Sequence, residues 1–419
     1  MLGMNPKIRL VKAREILDSR GNPTIEVRIE AGDFVAKDSV ASGASIGRNE
    51  AKELRDNDQS RYFGKGVLKA VENINDKISR ILIGQDPKEQ RRLDDRIIEL
   101  DGTKDKSNLG ANATTAVSMA IARLGAKTKN FPLWRHIAQI AQTENANKPK
   151  LPWPAFNILN GGAHAGNDLP VQELMIVPYL NSFKDNLHIA SMVYHYLKEV
   201  IAKEFGKTAT NVGDEGGFAP PTSSPYIALE LILRAIEKLP KKNEEVKLML
   251  DFAASQFQRE GKYIMGSQVY STEGLFNFYK DLILKYPIMA LEDPFDENDW
   301  EGFEMMQENF GRKITIIGDD LLTTNISKMR DARDRNACNG VIIKINQIGT
   351  VSEAIDANNL AKEFGWQTIV SHRSGETIDD FIADFSVGVG SNFIKAGAPA
   401  RGERVAKYNR LLEIEQELI

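Results

Sequence analysis

The chain has 419 residues, with 54 Lys and Arg against 58 Asp and Glu, and a formal net charge of −4. No basic block stands out, which argues against nucleic acid or an anionic membrane surface as the principal partner. Cys338 is the only cysteine, so no intrachain disulfide can form and a reducing compartment is expected.

Residues 7–41 alternate polar and apolar with period two, broken at Ser19-Arg20-Gly21-Asn22-Pro23 and at Gly32-Asp33. That pattern predicts a three-strand meander. A small-residue loop, "SGASIGR" (42–48), follows, then helical patterns around 65–82, 87–99 and 111–126. Strands followed by segregated helices predict an α+β domain over 1–145, with the polar stretch 141–150 as its linker. The start lacks the long apolar stretch of a signal peptide, and no run approaches the roughly 18 apolar residues that span a bilayer. A cytoplasmic protein is expected, with room for a secondary surface or secreted pool.

From 146 to 419 the pattern changes. Short apolar segments occur at 151–159, 171–177, 246–251, 288–292, 314–319, 340–345, 367–371 and 392–395, with helical stretches between the later ones. Eight alternating units predict a parallel sheet closed into a (β/α)8 barrel. Its start is irregular: the first two strands have no helix between them, and two helices (about 184–205 and 225–239) precede the third, an order ββαα(βα)6.

The later strands end on polar residues. "KLMLD" ends at Asp251, "IMALE" at Glu292, "ITIIGD" at Asp319, "VIIK" at Lys344, "TIVSH" at His372 and "FIK" at Lys395. The spacings of 41, 27, 25, 28 and 23 residues each match one βα unit, so all six groups fall on the carboxyl rim, where barrel active sites are built. One such acid alone reads as a helix cap or turn residue; six in series do not. Three neighbouring carboxylates repel unless a cation lies among them, and an all-oxygen set selects a hard ion, Mg2+ before Ca2+ or Zn2+. A lysine must be shifted by roughly 3 units, or 4 kcal/mol, to act as a base near neutrality. A second cation about 6 Å away supplies roughly 3 kcal/mol at an effective dielectric of 20, and a dication about twice that. Lys395 and a metal are therefore expected to depress Lys344.

Ten segments carry a resemblance to a known family. They are "AREILDSRGNPTIEV", "SGASIG", "LDGTKDKSNLGANA", "NILNGGAHAGNDLPVQELMI", "NVGDEGGFAPP", "LEDPFDENDW", "GDDLLTTN", "KINQIGTVSEAI", "SHRSGETIDDFIAD" and "IKAGAPARGERVAKYN". In that order, over essentially the whole chain, the sequence resembles enolase. The resemblance implies reversible dehydration of 2-phosphoglycerate to phosphoenolpyruvate, in glycolysis and gluconeogenesis, by a Mg2+-dependent hydro-lyase. A lysine base beside a metal that stabilises an ene-diolate is the arrangement described for that superfamily and is taken from it.

Carried over, the resemblance implies that Asp251, Glu292 and Asp319 hold the first Mg2+ and Lys344 takes the C2 proton. Glu215 is the acid assisting loss of the C3 hydroxyl, supported by Glu173. Lys395 binds the substrate carboxylate, Arg373 and Ser374 grip the phosphate, and Gln172, Glu292, Asp319 and His372 join the substrate site. Ser45 helps bind a second Mg2+ with substrate, and His164 closes over the site. The glycine pairs 161–162 and 216–217 are expected to permit positive φ and close approach to ligand. A homodimer or homo-octamer is implied.

The chain departs from the family pattern at Ala41, Ile46, Gln256, Ala396 and Gly402, each removing a characteristic residue near the site but none of the proposed catalytic groups. These bear on loop closure, KM and metal affinity. Asp214 and Asp320 read as supporting neighbours, His136 as packing, His188 and His195 as structural, and Cys338 as core. Two alternatives remain: another proton-abstracting member of the superfamily, or a retired barrel serving as a structural or surface-binding protein. Loss of a rim carboxylate, Lys344 or Glu215 would mark the latter.

Overall fold

A computed structural model describes residues 6–43, 47, 49–240 and 245–418. Strands β1 (Ile8–Leu17), β2 (Pro23–Ala31) and β3 (Phe34–Ser39) form an antiparallel meander in the order β1-β2-β3. Ile25, Val27 and Ile29 alternate along β2 and are fully buried. They face the helix Ala111–Lys129, whose Ala-rich composition lets it lie close to the sheet. A helical run at 68–82 and the helix Gln90–Asp101 complete this unit.

The helix Leu133–Ala141 packs on Phe381–Gly388, so the segment after it is not a free tether. Within that segment Asn145 donates to the carbonyl of Val387 at 2.6 Å, and Thr143 to that of Gly388 at 2.7 Å. On this helix His136 is buried beside Gly125, where any Cβ would meet its ring. Burial, helped by the Lys129 charge, pushes this imidazole down to about 3. The unfolded chain binds the proton near pH 6.5 and the folded one does not, so stability is lost as pH falls from about 6.5 towards 3. Urea midpoints at pH 7 and pH 5 should differ less in His136→Gln than in the wild type. The wild-type slope carries up to about 1.4 kcal/mol per pH unit from this one group.

The second half is a closed barrel of eight strands. In chain order its first members are β4 (Trp153–Asn160), β5 (Glu173–Pro178) and β6 (Val246–Asp251). A small sheet that the sequence pattern does not announce then follows, β7 (Gln258–Arg259), β8 (Lys262–Met265) and β9 (Gln268–Tyr270). The barrel resumes with β10 (Ile288–Glu292), β11 (Thr315–Gly318), β12 (Gly340–Ile343), β13 (Gln367–Ser371) and β14 (Phe393–Lys395). The hydrogen-bonded order is β10-β11-β12-β13-β14-β4-β5-β6. The sheet is not wholly parallel, because β5 runs antiparallel to both neighbours. With no helix between β4 and β5 the chain has no crossover to bring it back, and it must return as a hairpin. The helices Phe183–Phe205 and Pro225–Ile236 then precede β6.

The barrel interior is filled by Ala155, Met175, Val177, Met249, Ala290, Ile317, Ile342, Ile369 and Phe393. Side chains alternate across a strand. Two residues further along, the same inward direction therefore holds Asn157, Asp251, Glu292, Asp319, Lys344, Ser371 and Lys395. On the reversed strand β5 it holds Glu173, two residues before Met175. The polar rim is the top layer of the barrel's own interior.

Candidate active site

Strand register aligns this layer. Asn160 pairs with Glu173, Glu173 with Asp251, and Asp251 with Glu292 across consecutive strands. Glu292 pairs with Ile317, which sets Asp319 one inward step higher. Glu173 begins its strand, yet it joins the carboxyl rim because β5 runs backwards.

Lys395 is buried among the acids. Its ammonium donates to both Glu292 carboxylate oxygens at 2.9 and 2.8 Å, to Glu173 Oε1 at 3.2 Å and to Asp251 Oδ2 at 3.4 Å. Burial disfavours its charge, but Glu173, Glu292 and Asp251 outweigh this and hold it well above the ordinary lysine value. Lys344 Nζ donates to Asp319 Oδ2. Burial pulls Lys344 down and Asp319 more than offsets it, so the ammonium form is favoured. Lys395 also lowers Lys344, as expected of a neighbouring cation, but by less than Asp319 raises it.

On the opposite side, Glu215 Oε2 accepts from Asn157 Nδ2 at 2.8 Å and lies 3.4 Å from His372 Nε2. His164 Nδ1 is 3.4 Å from Glu215 Oε1 and 3.7 Å from Glu173 Oε1. Burial raises both carboxyls. His164, His372 and Arg404 reverse this at Glu215, holding it well below the usual range, whereas the Glu215 charge adds to burial at Glu173 and pushes it well above that range.

His372 is set by Arg404, a fully buried arginine. Arg404 Nη1 lies 2.6 Å from His372 Nδ1. A guanidinium only donates, so Nδ1 accepts and the ring proton sits on Nε2, facing Glu215. Arg404 also donates to the carbonyls of Arg373, Ser374 and Asp214. It thus ties the loop 372–374 to the loop carrying Glu215. Arg404→Ala would leave four acceptors, three of them buried, short of a donor, and an expected loss of about 3–5 kcal/mol should appear in the denaturation midpoint. Burial depresses His372 to about 4, so it stays neutral.

Arg373 is buried and donates to Glu50 Oε2 at 2.9 Å and to Asn346 Oδ1 at 3.0 Å. Ser374 Oγ accepts from Arg20, which reaches over from the turn between β1 and β2. Ser42, just before the small-residue loop, exchanges backbone hydrogen bonds with Gly375 at 2.7 and 2.9 Å. The N-terminal unit therefore builds one wall of the site. Ser45 and Ile46 lie outside the described residues.

The two glycine pairs divide the expected work. Gly162 and Gly216 have φ of +52° and +86°, while a Cβ on Gly161 or Gly217 would collide with Leu169 or Asn160. At the departures, Gln256 donates to Gln172 Oε1 at 2.7 Å, and Gln172 donates to Asp251 Oδ2 at 3.1 Å, so an amide relay reaches the expected metal ligand. Ala41 offers its carbonyl to Asn346 at 3.1 Å, Ala396 is buried, and Gly402 opens the last helix beside empty space. His188 and His195 are exposed on their helix. Cys338 is buried, with its thiol pushed far above its ordinary value.

The residues fit a hard divalent cation. Glu292 is raised by burial and by Asp251, Asp293 by burial and Asp320, and Asp320 to about 8 by burial and Asp319. Such mutual repulsion is what a cation relieves. Glu173 Oε2 and His164 Nδ1 are buried without a hydrogen-bond partner. Among the described residues, the trios whose ligand atoms lie within 4.8 Å of one another are His164–Glu173–Glu215 and Asp293–Asp319–Asp320. Asp251, Glu292 and Asp319 are not gathered so tightly, since the Lys395 ammonium lies against the first two.

Glu50, Asn157, Asn346, Gln347 and Arg404 escape the sequence reading. Asn157 alone has a signal, being two residues beyond an inward core position on β4. Asn346 and Gln347 follow Lys344 by two and three residues, whereas Glu50 and Arg404 reach the site only through tertiary contact.

A barrel whose rim gathers buried carboxylates, two lysines and a pair of buried glutamates has the make-up of an acid–base lyase. Residues 8–137 match the family model of the enolase N-terminal domain, and residues 148–419 that of the enolase C-terminal TIM barrel domain. Enolase B of Dictyostelium discoideum is 50% identical, over 98% of this chain and 95% of its own length. The enolase of Thermococcus gammatolerans is 48% identical over 99% and 96%, and that of Methanosarcina barkeri 48% over 98% and 95%. The chain belongs to the enolase family, the carbon–oxygen lyases that interconvert 2-phosphoglycerate and phosphoenolpyruvate in glycolysis. Every group whose loss would mark a retired barrel is present at the rim. No helix among the described residues is long and apolar enough to cross a membrane.

Proposed function

We propose that Lys344 removes the C2 proton of 2-phosphoglycerate and that Glu215, supported by Glu173, is the acid that assists departure of the C3 hydroxyl. The supporting observation is the arrangement of the rim: Lys344 pairs with Asp319 after β11, the Glu173–Glu215 pair lies on the side of β4 and β5, and Lys395 stands between them against Glu292, Asp251 and Glu173. Proton and hydroxide leave different carbons, so base and acid must come from different places. Lys395 receives the substrate carboxylate, Arg373 and Ser374 the phosphate, and Gln172 and His372 line the site. His164, beside both glutamates, closes over the bound substrate. Lys344 must first lose its proton, and anything that neutralises Asp319 removes the group that holds it.

Asp251, Glu292 and Asp319 would hold one Mg2+, and Ser45 would contribute to a second that arrives with substrate. When bound, these ions stabilise the negative charge that builds on the substrate carboxylate as the proton leaves. The domain division at 145/146, a homodimer or homo-octamer, and a cytoplasmic location complete the reading. The test is the absorbance of phosphoenolpyruvate formed from 2-phosphoglycerate with Mg2+, then with EDTA. Turnover that EDTA stops is expected, and turnover indifferent to EDTA would sink the proposal.

A further inference from the structure

The turn after β11 carries two consecutive β-branched residues, Thr323 and Thr324, with φ of +46° and +54°. Both are fully buried. Left-handed backbone is strained for such side chains and persists only where the surroundings hold it. At Thr324 the surroundings are specific. Its Oγ1 accepts from the Lys344 backbone N–H at 3.0 Å and lies 2.7 Å from Gln347 Oε1 and 3.3 Å from the Ile342 carbonyl. A hydroxyl has one hydrogen, and the shorter contact to Gln347 takes it.

With its carbonyl so occupied, Gln347 turns its amide nitrogen to Asp319 Oδ1 at 2.9 Å and Glu50 Oε1 at 3.3 Å. The other Asp319 oxygen meets the Lys344 ammonium. The contacts close a ring: Thr324 hydroxyl, Lys344 backbone, Lys344 side chain, Asp319, Gln347 and back to Thr324. Glu50 extends it to Arg373. A closed ring sets the lysine nitrogen relative to its own backbone from both ends.

We propose that Thr324 is a positioning residue for proton abstraction. Its hydroxyl fixes the Gln347 amide, and through it the carboxylate against which Lys344 is aimed. The strained turn is retained because only that conformation delivers the hydroxyl between β12 and the Gln347 side chain. This inference rests on the assignment of Lys344 as the base.

Thr324→Val keeps the β-branched shape and removes both hydrogen bonds. Thr324→Ser keeps the hydroxyl. In the full-length protein, Thr324→Val is expected to lower kcat about 10- to 100-fold, the range for a misplaced catalytic group, with KM for 2-phosphoglycerate unchanged within about twofold. The primary isotope effect on kcat with C2-deuterated substrate should rise as proton abstraction becomes slower. Thr324→Ser should stay within about threefold of the wild type. Wild-type kcat in Thr324→Val, or Thr324→Ser as slow as Thr324→Val, would overturn the proposal. Should Thr324→Val fail to fold, Gln347→Glu, which loses the donor to Asp319, must show the same fall in kcat, and wild-type kcat there overturns it equally. Exchange of the C2 proton surviving in Lys344→Ala would instead sink the base assignment, whatever the Thr324 variants do.

Discussion

Lys344→Ala is expected to lower turnover of 2-phosphoglycerate by about 10^4-fold, the upper end of what a positioned base contributes. It should also abolish exchange of the C2 proton with solvent. The side chain ends on Asp319 at the mouth of the barrel and is only 11% solvent-exposed. Removing it leaves the buried Asp319 without its partner, so the thermal midpoint should fall while the circular dichroism spectrum stays that of the folded protein. Substrate should still bind, because the phosphate and carboxylate are assigned to Arg373, Ser374 and Lys395. The expected signature is a collapse of kcat with a small change in KM, which separates loss of chemistry from loss of the site. Proton exchange by NMR of substrate in deuterated water is the decisive measurement. Exchange at the wild-type rate would place the base elsewhere on the rim.

Lys395→Met is expected to be costly in both activity and stability. In the wild type one ammonium faces Glu173, Asp251 and Glu292, and none of these four side chains is more than 3% exposed. A methionine of similar length fills the space and leaves the carboxylates facing one another. Breaking a buried pair by removing one partner costs about 3–5 kcal/mol, because the surviving charge has no compensation. The carboxyls respond by binding protons, so the deficit should shrink below neutrality, as protonated acids no longer repel. Added Mg2+ should raise the thermal midpoint of Lys395→Met more than that of the wild type, since the acids have lost their internal counter-charge. Activity should fall by at least about 10^3-fold if the substrate carboxylate loses its cation during charge build-up. Equal Mg2+ shifts in both proteins would show that these acids are not where the cation acts.

The barrel was legible because its signal is local. Period-two apolar segments at βα spacing need no knowledge of packing, and a polar residue ending each one is visible in a single line of text. Asp251, Glu292, Asp319, Lys344 and Lys395 were found this way, and inward alternation is the reason they converge. The antiparallel β5 was half legible: the missing helix is a sequence fact, but the placement of Glu173 on the common rim follows only from the strand's reversal. The small sheet β7–β9 gave no warning, its strands being two to four residues long.

Charge balance divides sequence from structure most sharply. Chain order alone determined which ionisable groups exist and that they share one rim. Tertiary structure decided which of them neutralise which. Lys395 is held by Glu292, Glu173 and Asp251; Lys344 by Asp319; Glu215 is kept low by its histidines and Arg404. Residues 20, 50 and 404 enter the site from the N-terminal unit and the final helix, at separations where no periodicity connects them. The physical reason is range. Side-chain alternation acts over two residues and a βα unit over some 25, whereas burial and Coulomb interaction act through space between groups hundreds of residues apart.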